Sequence, residues 1–463
     1  VNKRQAGVLL HPTSLPNTEG QPGQLNDQAW LFLDWMNRAG LSIWQMLPLT
    51  QPHEDLSPYQ AVSAFALNPA LLPDDWVTQF EQFGPESFAE YLNTPPHWLE
   101  DYVLFMVIRR HQNNASWREW PHDLKMHESE ALLKFSALHH SEFLALKKEQ
   151  FVLSKIWQKL KADANQKGIQ LFGDMPIFVA FDSADVWANP EQFKLDENHN
   201  PTVVTGVPPD YFSETGQRWG NPHYRWEVMQ QDGFSWWRKR IAEALTQFDL
   251  LRIDHFRGLE SSWEIPANEE TAMNGQWVKT PGFELLAALK SDFPYLPIIA
   301  EDLGTITPEV VALKEQYALP GMSVLQFGFN GFPDNPHSLH EQIENSVTYT
   351  GTHDNDTTLG WFHSLDEGTK SWVLEQLQMG NAEQLQHANL PNEMPWLLVS
   401  AAFNTVAQRV IIPMQDFLML DGEHRMNVPG TAEMNWRWQF TWSAPLDSLA
   451  ENIRDLLQQA DRL

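Results

Sequence analysis

Eight short apolar runs with helical periodicity between them, and acidic residues gathered toward the ends of those runs, predict an α/β protein. The architecture expected is a (β/α)₈ barrel, a TIM barrel. The runs are AGVLLHP (6–12), LSIWQMLP (41–48), IQLFGDMPIFV (169–179) and FDLLRIDHF (248–256), then LPIIAEDLG (296–304), MSVLQFGF (322–329), SVTYTGTHD (346–354) and VIIPMQDFL (410–418). Several are apolar almost throughout, as strands covered on both faces must be. A doubly wound open sheet would carry a glycine-rich phosphate turn after an early strand, and GVLLHPTSLP offers none.

The elements follow in order. After the first run, QAWLFLDWMNRAG (28–40) has an amphipathic helical period and ends on Gly40, a suitable C-cap. A second helical stretch occupies 134–168 and ends on Gly168 before the third run, and FELLAALKSDF (283–293) precedes the fifth. A bare barrel needs about 250 residues. The chain has 463, so the whole reads as one catalytic barrel domain (1–463) with two insertions. Residues 49–165, after strand two, are expected to form a helical subdomain. Residues 180–247, after strand three, are expected to form a second one carrying a loop that covers the cleft.

Composition narrows the function. A net charge of −29, from 60 acidic and 31 basic residues, argues against a polyanionic partner, so no nucleic acid is expected. The chain lacks an apolar run of about 18 residues, so no membrane partner is expected. The opening VNKRQAGVLLHP has no long apolar stretch and no A-x-A site, so it does not read as a secretory leader. The absence of cysteine excludes disulfides and a thiol nucleophile and fits a cytoplasmic protein.

The acids are not scattered. Asp174, Asp254, Glu301 and Asp354 come late in runs three, four, five and seven. C-terminal strand ends form the working face of this fold, so four carboxyl groups should converge at one mouth. Crowding and partial burial there can keep one carboxyl protonated while a neighbour stays ionised. Arg252 shares strand parity with Asp254 and is placed to pair with it. A single acid at a strand end serves more often as a helix N-cap or salt-bridge partner; four on one face point to a site. Metal ligation is the other use of such acids, and His255 and His353 each adjoin one. Yet H-E-x-x-H and EF-hand spacings are absent, and neither metal nor cofactor is expected.

Longer stretches sharpen this reading. GVLLHPTSLP (7–16), SPYQ (57–60), SAFALNP (63–69) and GDMPIFV (173–179) resemble glycoside hydrolase family 77, the amylomaltases or 4-α-glucanotransferases of the α-amylase superfamily. So do GVPPDYFSETGQRWGNPHYRW (206–226), RIDHFRG (252–258), AEDLG (300–304), GTHDNDT (351–357) and NVPGTAEMNWRW (427–438). The resemblance spans essentially the whole chain. It implies retaining transfer between α-1,4-glucans and maltooligosaccharides, with glucose as an acceptor. By motif, Asp254 matches the nucleophile, Glu301 the general acid/base and Asp354 the third carboxylate. Arg252 and His353 match residues touching the sugar beside the nucleophile, Tyr59 the tyrosine stacked on it, and Asp174 an acid at the same end. Asp210 matches a residue of a loop folding over the cleft, with Tyr211, Phe212 and Trp219 near it. Two early stretches depart from the family pattern: NTEGQPGQLND (17–27) replaces a glycine-rich run, and Asp55-Leu56 replaces Gly-Asp.

The chemistry is consistent with these roles on its own terms. Retention requires two carboxyl groups about 5–5.5 Å apart, a spacing that neighbouring strands four and five can supply. A further fixed negative charge favours an oxocarbenium-like transition state. Tryptophan and tyrosine suit the apolar faces of sugars.

Overall fold

Each of the eight apolar runs becomes a parallel strand in a computed structural model that describes residues 3–211, 213–443 and 445–463. Twelve strands occur among these residues: β1 (Gln5–Leu9), β2 (Ile43–Gln45), β3 (Gln170–Pro176), β4 (Val203–Val207), β5 (Gln217–Pro222) and β6 (Leu250–Asp254), followed by β7 (Ser261–Pro266), β8 (Gln276–Lys279), β9 (Ile298–Ala300), β10 (Gly321–Val324), β11 (Ser346–Tyr349) and β12 (Arg409–Pro413). Eight of them pair in the order β10-β11-β12-β1-β2-β3-β6-β9. That is a (β/α)₈ barrel whose last seam lies between β9 and β10. One backbone hydrogen bond, Ala300 N–H to the Pro320 carbonyl at 2.8 Å, crosses the seam. Asp302 reinforces it: its Oδ1 accepts from Met322 N–H at 2.8 Å, and Lys314 donates to its Oδ2 at 2.6 Å. Gly321 is required here, because a Cβ would run into the Asp302 carboxylate.

The strands are shorter than the runs that announce them. β3 and β12 stop at Pro176 and Pro413, which lack the N–H needed to continue a ladder. Past β12 the chain turns at once into the helix Met414–Phe417.

The helix Asp27–Ala39 shows how the outer layer is held. Asn26 caps it by accepting from Gln28 N–H at 3.0 Å, and Gly40 closes it at φ 77°. Its buried face carries Ala29, Phe32, Leu33, Trp35, Met36 and Ala39. Trp35 Nε1 donates to the Leu446 carbonyl at 2.8 Å, tying this helix to Pro445–Gln459. Truncating so buried a tryptophan to alanine costs about 3–5 kcal/mol.

Between β2 and β3 lie the helices Trp76–Phe83, Pro85–Asn93, Leu99–His111, Ser129–Leu138 and His140–Gln166, the last followed by Gly168 at φ 73°. A second, antiparallel sheet has the order β5-β4-β7-β8. Two of its strands were not anticipated. β7 and β8 follow the fourth barrel strand, whereas the extra mass was expected only after strands two and three. Their sequences, SSWEIP and QWVK, are short and rich in polar residues, and β8 is mostly exposed, so no apolar run marks them. No helix among the described residues is long and apolar enough to cross a membrane.

Candidate active site

The barrel interior is plugged by apolar side chains, among them Phe172, Leu250, Ile299, Val347 and Ile411. Above this plug, at the C-terminal ends of the strands, charged groups gather. Strand register explains their neighbours. Asp174 on β3 pairs with Arg252 on β6. Arg252 Nη1 donates to both Asp174 oxygens at 2.8 Å, and Nη2 donates to Asp254 Oδ1 at 2.9 Å. Arg252 and Asp174 are buried, and removing one partner from such a pair costs about 3–5 kcal/mol because it strands the other charge. Asp254, two residues further along β6, is less enclosed and faces the cleft end of the barrel.

Glu301 follows directly after β9. Ile253 pairs with Ala300, so Asp254 and Glu301 are the next residues along two adjacent strands, whose spacing is about 4.8 Å. Both Glu301 oxygens are held by backbone: Oε2 accepts from His255 N–H at 2.7 Å and Oε1 from Leu303 N–H at 2.8 Å. His255 adopts a left-handed conformation, φ 56°, which turns that N–H toward the acid. Burial first, and then the Asp254 charge, push the Glu301 carboxyl up to about 7.

Asp354 lies on the loop after β11 and not on the strand itself. Its Oδ2 is 3.3 Å from His353 Nε2, and its Oδ1 accepts from Asn427 Nδ2 at 2.7 Å. Arg425 Nη2 donates to its backbone carbonyl at 2.9 Å. Partial burial favours the neutral form, although the side chain keeps about half of its surface exposed. The charge and hydrogen bond of His353, the Asn427 donor and Arg252 outweigh it, holding this carboxyl well below the ordinary range. For His353 the balance runs the other way: burial disfavours its charge, but Asp354 more than offsets this and raises the imidazole.

Tyr59 closes the ring of contacts. Its hydroxyl donates to Asp174 Oδ2 at 2.6 Å. Its ring stacks on His353 with centroids 5.1 Å apart and leans on Trp436 at 5.9 Å. A run of direct contacts therefore leads from Asp354 through His353, Tyr59, Asp174 and Arg252 to Asp254. A cavity of about 320 Å³ abuts the aromatic group, lined by His11, Pro58, Trp436 and Arg437. Gly20, Gln21, Pro22 and Leu56 also line it, so the two stretches that depart from the family pattern meet there.

A family model described as 4-alpha-glucanotransferase matches residues 10–83 and 74–444. The chain belongs to glycoside hydrolase family 77. It is 41% identical to the 4-alpha-glucanotransferase of Thermus thermophilus, over 99% of each chain. It is 42% identical to that of Synechocystis, over 95% of this chain and 94% of the other. Among solved structures, an amylomaltase from Streptococcus agalactiae in complex with acarbose superposes with a TM-score of 0.89 at 33% identity. The match covers 99% of this chain and 100% of that one.

In this family 77 chain the structure gathers Tyr59, Asp174, Arg252, Asp254, Glu301, His353 and Asp354 at one barrel end. Trp219, on β5, reaches the same end, its ring edge-on to His255 with centroids 4.8 Å apart. Asp210 shapes the tip of the β4–β5 connection by accepting from Ser213 N–H at 2.8 Å. Tyr211 next to it is 98% exposed. Phe212 lies outside the described residues. Four contributors were not singled out from the sequence: Asn427, Arg425, Trp436 and the His255 N–H. Asn427 and Trp436 belong to NVPGTAEMNWRW, a stretch whose motif was visible although no role was attached to its residues.

Proposed function

We propose that the chain transfers segments of α-1,4-glucans by double displacement, with Asp254 as nucleophile and Glu301 as general acid and then base. In the first step Asp254 attacks the anomeric carbon. The bond to the leaving 4-oxygen breaks, and that oxygen takes the Glu301 proton. In the second step Glu301 removes the proton from an acceptor 4-OH, whose oxygen displaces Asp254. Two inversions give net retention. The acceptor is glucose or a maltooligosaccharide.

The observation that carries this reading is the environment of Glu301. A carboxyl at about 7 holds its proton near neutrality and gives it up to a leaving oxygen. Adjacency to Asp254 across one strand spacing suits attack from one side and protonation from the other. Asp354, held ionised, supplies a fixed negative charge for the oxocarbenium-like transition state. Tyr59 and His353 serve as the wall against which the sugar beside the nucleophile rests. Arg252 and Asp174 brace the floor.

Transfer must also outcompete water. Positioning an acceptor can supply effective molarities of about 10⁵ M or more. The β4–β5 connection, with Asp210, Tyr211 and Phe212, together with Trp219 on β5, is the part we assign to that task, as the cleft-covering loop of the inserted 180–247 segment. The 320 Å³ cavity beside Trp436 is where this chain's own loops, 17–27 and 55–56, adjust glucan binding. A chain without cysteine suits the reducing cytoplasm.

Incubation with maltotriose tests the reading. The expected products are glucose and a ladder of longer maltooligosaccharides with almost no net gain in reducing ends. Reducing ends that climb in step with bond cleavage identify a hydrolase and overturn the transferase assignment.

A further inference from the structure

Apart from the barrel mouth, His111, His139 and Glu142 each offer one ligand atom, and the three atoms lie within 4.8 Å of one another. Glu142 Oε1 is 2.9 Å from His111 Nε2 and 3.3 Å from His139 Nδ1. We propose that these three side chains form a binding site for a divalent cation of borderline softness, Zn²⁺ foremost, with water completing its coordination.

The backbone brings them together from three helices. His111 is the last residue of Leu99–His111. His139 is the joint at which Ser129–Leu138 ends and His140–Gln166 begins, and Glu142 lies in the first turn of the latter. The His139 backbone is fixed by its N–H, which is shared between the carbonyls of Phe135 and Ser136 at 3.2 and 3.3 Å. Phe135 backs both imidazoles, edge-on to His111 at 5.7 Å and tilted against His139 at 4.4 Å. One side of the group is thus packed. The other is open, since all three side chains remain partly exposed and a cation can enter without unfolding anything.

The donor set selects the ion. Two imidazole nitrogens and one carboxylate oxygen are a common protein set for zinc when a fourth position is left to water. With bonds of about 2.0–2.2 Å, ligand atoms of a tetrahedral site lie about 3.4 Å apart. The two measured edges reach this by moving outward a few tenths of an ångström. Calcium and magnesium favour oxygen ligands in larger number, which two imidazoles do not supply. The field is favourable as well. Two helices present their C-terminal carbonyls here, and Glu142 offsets the opposing N-terminus of the third. A bound ion would pin together three helices of the segment between β2 and β3.

The test uses untagged, full-length protein stripped with chelator, dialysed and titrated with zinc chloride by calorimetry. The variants Glu142→Gln and His111→Asn/His139→Asn are titrated in parallel. Wild type should take up one equivalent and melt at a higher temperature with zinc. Glu142→Gln should bind at least about ten-fold more weakly, and the double variant should lose both the binding and the melting shift. All three proteins should disproportionate maltotriose equally without zinc, which certifies their folds. If the double variant does not fold, Glu142→Gln, an isosteric change at a partly exposed position, decides alone. No uptake by wild type at ~100 µM zinc, or uptake and melting shifts that the substitutions leave unchanged, overturns the proposal.

Discussion

The floor of the barrel mouth and the tip of the β4–β5 connection are built under opposite constraints. Around Arg252 both oxygens of Asp174 are engaged by a buried guanidinium and a tyrosine hydroxyl, and both oxygens of Glu301 are taken by backbone N–H groups. At the loop tip the structure is a turn held by Asp210 and Ser213, with Tyr211 projecting almost fully into solvent. Breaking a glycosidic bond needs charges fixed before the substrate arrives, because a low-dielectric site rewards dipoles that do not have to reorganise. Capturing the end of a long, soluble glucan needs an accessible surface. The difference suggests a division of labour: the floor governs the rate of cleavage, and the tip governs who receives the sugar.

Substitutions can break this comparison. Asp254→Asn should have the largest effect, lowering kcat on maltotriose by about 10⁴-fold or more while circular dichroism and glucan binding stay close to wild type. Residual turnover within ten-fold of wild type would remove Asp254 as nucleophile. Next comes Glu301→Gln, expected to slow transfer from maltooligosaccharides by about 10²–10⁴-fold. A glycosyl fluoride needs little acid assistance, so it should be affected far less. Equal losses on both donors would exclude Glu301 as the acid.

A pH profile sharpens the same region. Glu301 must be protonated for the first step, and its folded value is about 7 against an ordinary 4.5. The rate of glycosyl-enzyme formation should therefore hold on the acidic side of 7 and fall about ten-fold per unit above it. The alkaline limb should be missing in Glu301→Gln. The smallest rate effect belongs to the loop: Tyr211→Ala or Trp219→Ala should leave total bond cleavage within about ten-fold of wild type yet raise the share released to water. Reducing-end assays alongside total product measure that share. A loop variant that loses cleavage and keeps its partition would place the loop in the floor's role.

How far the sequence alone reaches follows from the range over which each contact acts. The barrel strands were legible because burial on both faces leaves almost unbroken apolar runs. Arg252 and Asp254 were legible because parity along one strand places them together, and Glu301 because its run ends in acids. Asp354 too was legible at the end of its run and in the GTHDND motif, but it leaves its strand by several residues. Its partners Asn427 and Arg425 come from a loop beyond the last barrel strand, and no periodicity encodes a contact closed over that distance. β7 and β8 escaped for a related reason: they are short and largely polar in sequence, and their apolar contribution, Ile265 and Trp263, is too small to form a run. The His255 N–H depends on a single positive φ, a backbone state that a histidine does not announce.

The seam between β9 and β10 gives the barrel a first and a last strand. Six neighbouring pairs along the cylinder share a ladder of three or more residues, as do β6 and β9, whereas β9 and β10 are joined by one backbone bond and the carboxylate of Asp302. In hydrogen–deuterium exchange, the amides of Ala300 and Met322 should trade their protons sooner than those of β1 and β3, since rupturing two bonds exposes them. Glu301 sits between Ala300 and Asp302, on the edge of that opening. The residue assigned to carry the proton is thus mounted beside the least-paired seam of the cylinder, and loss of the Asp302 clasp would reach the chemistry by loosening its mount without touching a reacting atom.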